Sequence, residues 1–303
     1  MSSSLQDEYI KKESLYGAQN YSPLSVVLEK GEGAYLWDVD GNKYLDMVSA
    51  YSAVSHGHSH PELLKTFHEQ SSKLAVTSRA FYTEPFSTFL EKLSKVSGFE
   101  SILTMNTGAE AVETAIKAAR RWGYFSKGIP EDKAEIIVAN GNFHGRTTTI
   151  VSFSSDASYK DGFGPFTPGV NSAEYCGSCD CQSIDSCLSI ESFEKKINKN
   201  TCAILVEPIQ GEAGIRVPTD GWLKQLRALC TSRNILLILD EIQSGLGRTG
   251  KLFAYEHENI KPDGLILGKA LGGAILPISA FLSSNEIMNH FNPGSHGSTF
   301  GGN

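Results

Sequence analysis

Residues 235–240 read ILLILD, a run of five apolar residues that ends in a carboxylate. Two similar runs occur nearby, CAILV at residues 202–206 and GLILG at residues 264–268. Short runs that are apolar at nearly every position are typical of strands buried on both faces of a parallel sheet, because the connecting helices cover both faces. The sequence therefore predicts an α/β fold with a mostly parallel central sheet flanked by helices.

Other segments fit the same architecture. We predict further strands at residues 101–105, 135–139 and 149–153, and helices at residues 62–74, 85–96, 109–124, 190–197 and 221–232. Residues 34–48 read AYLWDVDGNKYLDMV, in which Asp40-Gly41 separates two aromatic and aliphatic runs, a pattern typical of a β-hairpin. We therefore predict an N-terminal segment with a β-hairpin at residues 1–60 and a large domain at residues 61–303.

The composition favours a small-molecule partner. The chain has 303 residues, of which 40% are hydrophobic and 20% charged, and its formal net charge is -7. An acidic chain without a long run of Lys or Arg has no electrostatic footprint for nucleic acid or an anionic membrane. No stretch approaches the roughly 18 apolar residues of a membrane span. The first residues, MSSSLQDEYIKK, resemble neither a secretory signal nor a mitochondrial presequence, so we expect a cytoplasmic protein.

Polar residues that follow the predicted strands are the first candidates for a binding site, because ligands of open parallel sheets bind beyond the carboxyl ends of the strands. After the strand at residues 101–105, Asn106, Thr107 and Gly108 lead into a helix. The free N–H groups and the dipole at a helix start favour an anion such as a phosphate. A plain glycine turn before a helix is the alternative interpretation.

Asp240 and Lys269 follow two other predicted strands. A carboxylate that ends the apolar run 235–239 is costly to bury without a positive partner. A protonated pyridine nitrogen would be such a partner, and a helix cap is the alternative role. Lys269 lies between Gly268 and Ala270, where burial would disfavour the charged form and make the amine a better nucleophile. Taken alone, a lysine that extends to solvent would be the simpler interpretation.

A phosphate-binding helix start, a buried carboxylate and an amine at one edge of a sheet together suit pyridoxal phosphate. The helix start at Thr107 would bind the phosphate, and Asp240 would keep the pyridine nitrogen protonated so that the ring accepts electrons. Lys269 would carry the aldehyde and later move the proton. The sequence therefore predicts Asp240 and Lys269 as catalytic residues.

Ten stretches of the sequence carry a resemblance to a known family. They are YGAQNYSPL, YLWDVDGNKYLDMVSAYSAV, TSRAFY, MNTGAEAVETAIKAARRWGY, GNFHGRT, DGFGPF, VEPIQGEAG, LDEIQSGLGRTG, LGKALGG and HGSTFGGN. Through them the chain resembles, almost end to end, the class III aminotransferases of the fold-type I enzymes. The resemblance implies that the cofactor is pyridoxal 5'-phosphate.

The resemblance also implies roles for further residues around the cofactor. Position by position, Gly108 and Ala109 would bind the phosphate, Phe143 would stack on the pyridine ring and Gln243 would contact the ring hydroxyl. Thr299 would reach the phosphate bound by the neighbouring subunit. The family pattern therefore implies a homodimer with shared active sites.

The family members that the chain resembles most act on ornithine. By that resemblance Arg146 would pair with the α-carboxylate, Tyr21 would orient the α-amino group, Tyr51 would line the pocket, and Glu212 would neutralise a second arginine. An arginine fork fixes a carboxylate in two directions, which leaves the δ-amine free to react. The implied reaction moves the δ-amino group of ornithine to 2-oxoglutarate and gives glutamate and glutamate 5-semialdehyde, which cyclises to pyrroline-5-carboxylate. It would link arginine breakdown to proline synthesis. Transamination of acetylornithine or 4-aminobutyrate, or an inactive cofactor-binding chain, are the alternatives.

The sequence departs from the family pattern in three places. Position 144 is histidine where many relatives have an aromatic residue beside Phe143. Residues 171–189 form a cysteine-rich stretch in place of a shorter connection. The sequence ends at Asn303, inside a phosphate-binding motif, whereas the family continues into a small C-terminal domain that holds the second carboxylate-binding arginine. We therefore expect that small domain to be absent from this chain.

Two clusters contain residue types that bind metals. Four of the six cysteines lie in CGSCDCQSIDSC at residues 176–187, and thiolates at such spacing can share a tetrahedral zinc site, although paired CxxC motifs are absent. We predict an exposed loop with reduced thiols there. The run SHGHSHP at residues 55–61 places histidines at alternate positions. Matching family segments carry such histidines without a metal, so we expect no metal site.

Overall fold

The structure is a computed structural model that describes residues 5–177, 184 and 187–302. The described chain begins with helix α1 (Leu5–Tyr16) and strands β1 (Leu28–Glu32), β2 (Tyr35–Asp38) and β3 (Lys43–Leu45). The three strands form an antiparallel sheet in the order β1-β2-β3. This sheet is separate from the larger sheet that the rest of the chain builds.

The hairpin predicted at Asp40-Gly41 is confirmed between β2 and β3. The Asp38 carboxylate accepts hydrogen bonds from the backbone N–H groups of Asp40 and Asn42, at 3.0 and 2.8 Å, and from the Tyr44 hydroxyl at 2.7 Å. Gly41 has a φ of 86°, a left-handed conformation that glycine adopts without steric cost. One buried carboxylate thus satisfies the polar groups of the turn.

The remaining chain alternates strands and helices. Its strands are β4 (Ser101–Met105), β5 (Glu135–Ala139), β6 (Val170–Ala173), β7 (Thr201–Val206), β8 (Leu236–Asp240), β9 (Gly264–Leu267) and β10 (Ser279–Ser283). Its helices are α2 (Ser49–Ser52), α3 (Pro61–Lys73), α4 (Glu84–Ser97), α5 (Gly108–Phe125), α6 (Thr148–Val151), α7 (Ser189–Lys196), α8 (Trp222–Ser232) and α9 (Asn285–Met288). The predicted helices that correspond to α3, α4, α5, α7 and α8 are confirmed, as are the predicted strands that correspond to β4, β5, β7, β8 and β9.

The central sheet has seven strands in the order β4-β10-β9-β8-β7-β5-β6. Neighbouring strands from β9 to β6 pair in parallel, whereas β10 is antiparallel to both β9 and β4. The predicted, mostly parallel sheet is therefore confirmed. In this sheet β4 pairs with β10. The first of the seven strands in sequence order is therefore joined to the sheet by the last.

Helices cover both faces of this sheet, as the apolar runs predicted. Along β8, Leu237 and Leu239 belong to a core that includes Trp222 and Leu226 of α8. Leu236 and Ile238 belong to a second core, on the opposite face, that is built largely from α5. Successive residues of a strand point to opposite faces, so a run without polar residues is required where both faces are buried.

Two sequence predictions need correction. Residues 149–153 were predicted as a strand, but 149–151 belong to helix α6, because the Thr147 side chain accepts a hydrogen bond from Ile150 N–H and caps a helical turn. The predicted loop at residues 171–189 begins inside β6, which pairs in parallel with β5.

Two of the four cysteines in the cysteine-rich stretch lie within the described residues. Cys176 and Cys187 are buried, and Cys176 Sγ lies 3.0 Å from the Thr219 hydroxyl, so the prediction of an exposed loop is wrong for these two. Cys179 and Cys181 lie outside the described residues. Within residues 5–177, 184 and 187–302, no group of three His, Cys, Asp or Glu side chains is arranged to hold a metal ion. Within the same ranges, no helix is both long and apolar enough to cross a membrane.

Candidate active site

The start of helix α5 leaves two backbone donors free at the edge of the sheet. Thr107 is the N-cap: its hydroxyl accepts from Glu110 N–H at 3.2 Å, and the Glu110 carboxylate accepts from the N–H groups of Asn106 and Thr107. Because a helix start leaves its first N–H groups without intrahelical partners, those of Gly108 and Ala109 remain for a ligand. The side chain of Thr107, which we predicted to bind the cofactor, is already used by this capping box.

Glycine at position 108 leaves room for a close neighbour. A Cβ atom added there would lie 2.8 Å from Ile242 Cδ1, a distance that real contacts do not allow without a shift. The start of the helix is also fixed to the strand next to β4, because the Ser279 hydroxyl at the start of β10 donates to the Thr107 carbonyl at 2.6 Å. The anion-binding end of α5 is therefore held in place from two sides.

Asp240, at the end of β8, is buried and forms a hydrogen bond with a histidine inside the protein. Its Oδ2 lies 2.6 Å from Nδ1 of His144, and its Oδ1 accepts from Ile242 N–H at 3.1 Å. Burial by itself would lower the pKa of His144, but the hydrogen bond and the charge of Asp240 outweigh it and raise that pKa. The sequence analysis noted this histidine only as a departure from the family and did not predict its contact with Asp240.

Glu207 is a site residue that the sequence analysis missed. It is buried directly after β7, and its Oε2 accepts the Phe143 backbone N–H at 3.1 Å. Burial raises the pKa of Glu207 to about 7, with the charge of His144 opposing the rise. The rule that singled out Asp240, a carboxylate at the end of an apolar strand, applies equally to Glu207 and could have found it.

Lys269 starts a short 3-10 turn, Lys269–Gly272, directly after β9. Its φ is 45°, a left-handed conformation that is costly for a residue with a side chain and that is found mostly at functional positions. Burial lowers the pKa of the amine, although the charges of nearby carboxylates, Glu212 first, oppose this. A larger fraction of the amine is therefore uncharged and nucleophilic than for a lysine in water.

These groups line one cavity of about 200 Å³. Its walls are Gly108, Ala109, Phe143, His144, Gly145, Glu207, Ile209, Glu212, Asp240, Ile242, Gln243 and Lys269. The cavity is thus faced by four kinds of group: an anion-binding helix start, an aromatic ring, a carboxylate and an amine. His144 Nε2 is buried at this wall without a hydrogen-bond partner in the described part of the chain. The residues present therefore fit a flat, phosphorylated ring that carries an aldehyde.

Gln243 and Glu212 lie together at the cavity wall. The Gln243 amide donates to Glu212 Oε1 at 3.3 Å and to the Tyr51 carbonyl at 3.4 Å. A Cβ atom on Gly211 would lie 1.3 Å from Gln243 Oε1, so glycine at 211 is what admits the amide. Tyr51 itself is 62% exposed and contributes its backbone, rather than its ring, to this cluster.

Arg146 lies outside the cavity walls and is exposed. Its guanidinium carbon is 4.7 Å from the ring centre of Tyr159, 5.7 Å from that of Phe143 and 6.0 Å from that of Tyr21. Among the described residues, no carboxylate forms an ion pair with it. The structure thus brings predicted substrate residues Arg146 and Tyr21 together and adds Tyr159, which the sequence analysis did not identify.

Thr299 is exposed and is not part of this cavity. Its segment is attached to the start of α5, where the Asn106 amide donates to the Ser298 hydroxyl at 2.9 Å. His296 is attached further along α5, with its Nε2 2.7 Å from the Thr114 hydroxyl and its Nδ1 2.8 Å from Lys117 Nζ. Thr299 is therefore presented on the outside of the chain that carries it.

Residues 16–303 match the class III aminotransferase family. The chain belongs to this family. Class III aminotransferases use pyridoxal 5'-phosphate, so the chain is a pyridoxal-phosphate-dependent aminotransferase and the cavity is its candidate cofactor site.

Three relatives illustrate the similarity of this class III aminotransferase to known proteins. Ornithine aminotransferase of Brevibacillus brevis is 54% identical over 294 residues, which cover 97% of this chain and 71% of that protein. A structure of ornithine aminotransferase from Toxoplasma gondii, in which pyridoxal phosphate partly occupies the active site, has a TM-score of 0.91 and 42% identity and covers 98% and 67% of the two chains. Acetylornithine aminotransferase from Elizabethkingia anophelis has a TM-score of 0.83 and 46% identity, with coverage of 98% and 69%.

Proposed function

We propose that this class III aminotransferase transfers the δ-amino group of L-ornithine to 2-oxoglutarate, giving glutamate and glutamate 5-semialdehyde, which cyclises to pyrroline-5-carboxylate. Such a reaction would connect arginine and ornithine breakdown with proline synthesis. The observation that carries the proposal is the cavity that joins Lys269, Asp240, Phe143 and the free N–H groups of α5. The similarity to ornithine aminotransferases of Brevibacillus and Toxoplasma supports the choice of substrate.

In this proposal several residues of the cavity bind the cofactor or hold it in position. The N–H groups of Gly108 and Ala109 hold the phosphate, Phe143 stacks on the ring and Gln243 contacts the ring hydroxyl. Asp240, hydrogen-bonded to His144, holds a proton on the ring nitrogen. When bound, pyridoxal phosphate supplies an aldehyde that reacts with amines and a ring that accepts electrons.

Lys269 has two tasks, as the residue that attaches the cofactor and as the base that moves the substrate proton. Both need an uncharged amine, and burial provides it by lowering the pKa. Glu212 opposes that shift and stands 3.3 Å from the Gln243 amide, where it is available to neutralise an arginine. These contacts support, for both residues, the roles that the family resemblance implies.

The exposed cation Arg146 supports a substrate with a carboxylate. Its guanidinium is held by aromatic rings and not by an acidic side chain, so its N–H donors remain for a bidentate contact with the α-carboxylate of ornithine. With the α-carboxylate fixed there and Tyr21 beside it, the δ-amino group would be the end of the substrate that reaches Lys269.

Acetylornithine is the second candidate substrate, and the 46% identity to the Elizabethkingia enzyme favours it. Both compounds carry the same α-carboxylate and δ-amine and differ only at the α-nitrogen, which the proposed role of Tyr21 addresses. A free α-amino group can donate to the Tyr21 hydroxyl, whereas an acetylated nitrogen is bulkier and uncharged. Tyr21 is therefore the residue on which the choice between the two candidates depends.

We further propose a homodimer with shared active sites and the division into residues 1–60 and 61–303. Thr299 is exposed and outside its own cavity, as a residue that serves a second subunit must be. Large apolar side chains such as Met47 and Tyr82 are 83% and 99% exposed, which favours their burial against another chain. The cytoplasmic location stays a prediction.

The absorbance spectrum of the purified protein with pyridoxal phosphate tests the function. We expect ornithine to convert the aldehyde form of the cofactor to the amine form, N-acetylornithine and 4-aminobutyrate to do so far more slowly, and Lys269→Ala to abolish the conversion. Faster conversion by N-acetylornithine than by ornithine would reject the proposed substrate. A wild-type spectrum that none of the three amines changes would reject the proposed activity.

A further inference from the structure

The Arg146 side chain is long, exposed and free of ionic partners in the described structure, yet the proposed function needs it in one orientation. A freely rotating arginine loses rotamer entropy when a ligand fixes it, which weakens binding. An acidic partner would fix the side chain but would compete with the substrate carboxylate for its donors. Aromatic rings avoid this conflict, because they attract the cation through the ring face and leave the N–H groups unused.

Tyr159 is the closest of the three rings around Arg146. Its ring centre lies 4.7 Å from the guanidinium carbon, compared with 5.7 Å for Phe143 and 6.0 Å for Tyr21. Tyr159 is half-buried, whereas Tyr21 is 69% exposed. Tyr159 also packs edge-on against Phe143, with the ring centres 5.8 Å apart and the ring planes at 70°, so it contacts both the cofactor-facing ring and the arginine.

The backbone under Tyr159 is fixed before any ligand binds. Tyr159 ends a 3-10 turn, Ala157–Tyr159, whose N-cap is Asp156. The Asp156 carboxylate accepts from both the N–H and the hydroxyl of Ser158, at 2.8 and 2.7 Å. The following residue is anchored as well, since Lys160 Nζ donates to the Ser152 carbonyl at 3.3 Å. The ring of Tyr159 is therefore in place before the substrate binds, and it can hold the Arg146 guanidinium in one position.

We propose that Tyr159 is the positioning residue that aims Arg146 at the α-carboxylate of the substrate. The inference rests on the proposed function, because it assigns the contact by which that site selects amines with an α-carboxylate. Tyr159 does not touch the reacting atoms. Its effect is confined to the end of the substrate that carries the carboxylate, and this restriction makes it testable.

The test compares ornithine with 1,4-diaminobutane, which is ornithine without the α-carboxylate. In Tyr159→Leu, we expect the KM for ornithine to rise about fourfold, which corresponds to about 0.8 kcal/mol and is typical of a cation–π contact at an exposed site, while kcat changes little. The kcat/KM for 1,4-diaminobutane should stay at the wild-type value. Tyr159→Phe keeps the ring and should remain within about twofold of wild type for both amines.

Tyr35→Leu is the matched control. Tyr35 also faces a cation, with Lys43 Nζ 3.8 Å from its ring centre, but it lies in the three-stranded sheet, and its replacement should change neither substrate. Equal losses of Tyr159→Leu on both amines would show a merely structural role and overturn the inference, as would an unchanged KM for ornithine.

Failure of the proposed function would look different, because wild-type protein would then not transaminate ornithine at all. In that case the dissociation constant of ornithine, measured by calorimetry, decides the inference. A rise in Tyr159→Leu but not in Tyr159→Phe supports it, and equal values in all three proteins overturn it.

Discussion

Replacing Glu207 by glutamine should flatten the dependence of folding stability on pH. Burial raises the pKa of this carboxyl group from an ordinary value of 4.5 to about 7. The folded protein therefore binds the proton more tightly than the unfolded chain, so the stabilisation is complete below pH 4.5 and is lost as the pH rises through about 7. A difference of this size corresponds to about 3 kcal/mol of the free energy of unfolding. Glutamine is neutral at every pH, and its amide oxygen can still accept the Phe143 N–H.

Urea unfolding curves of wild type and Glu207→Gln, recorded at about pH 5.5 and about pH 8.5, measure this effect. When the pH is raised from about 5.5 to about 8.5, the free energy of unfolding of the wild type should fall by about 2 kcal/mol more than that of the variant. Glu241, whose pKa burial also raises to about 7, is present in both proteins, so their difference isolates Glu207. Glu131→Gln, at an exposed position, should show the wild-type pH dependence. An equal fall in the free energy of unfolding of wild type and Glu207→Gln between the two pH values would refute the reasoning.

Two further changes test how the cavity is built. His144→Phe should lower the free energy of unfolding by about 3 kcal/mol, because it leaves the buried Asp240 carboxylate without its hydrogen-bond partner. His144→Asn can still donate a hydrogen bond and should recover part of the loss in the same urea titration. Equal stability of His144→Phe and wild type would contradict the pairing. Gly108→Ala should weaken pyridoxal phosphate binding about tenfold through the contact with Ile242 Cδ1, as measured by fluorescence titration. The double variant Gly108→Ala with Ile242→Val lacks the Ile242 Cδ1 atom and should regain the affinity for pyridoxal phosphate. An affinity as low as that of Gly108→Ala would contradict the steric explanation.

The sequence predicted the parts of the fold that depend on local pattern. Strands β7, β8 and β9 are apolar at almost every position. This pattern is typical of a sheet that is covered on both faces, because a strand with one exposed face alternates apolar and polar residues. The same reasoning showed that Asp240 needs a positive partner, yet it did not find His144, because the two residues are 96 positions apart and their pairing is a property of the folded chain. The resemblance to a family gave candidate cofactor residues, several of which line the cavity, but it did not point to Glu207 or Tyr159, whose positions follow from packing.

The wrong predictions have physical causes of the same kind. The β-branched residues at 148–151 favour a strand by propensity, but the capping hydrogen bond from Thr147 makes that segment helical. Strand β10 was not predicted, because serine occupies both its ends; in the structure both are buried and bonded, Ser279 to the Thr107 carbonyl and Ser283 to the Asp263 carbonyl. Polar residues whose partners lie far away in the sequence cannot be told from surface residues by pattern alone.

Because β10 lies between β9 and β4, the central sheet cannot be completed until β10 has been synthesised. β4 leaves the ribosome more than half a chain earlier than β10, the strand that joins it to the sheet. Until residues 279–283 emerge, the edge of β4 has no partner in this sheet, and the anion-binding end of α5 lacks its tether at Ser279. Cofactor capture is therefore a late event in biosynthesis, and nascent chains that stall before β10 present an open strand edge to chaperones or to one another.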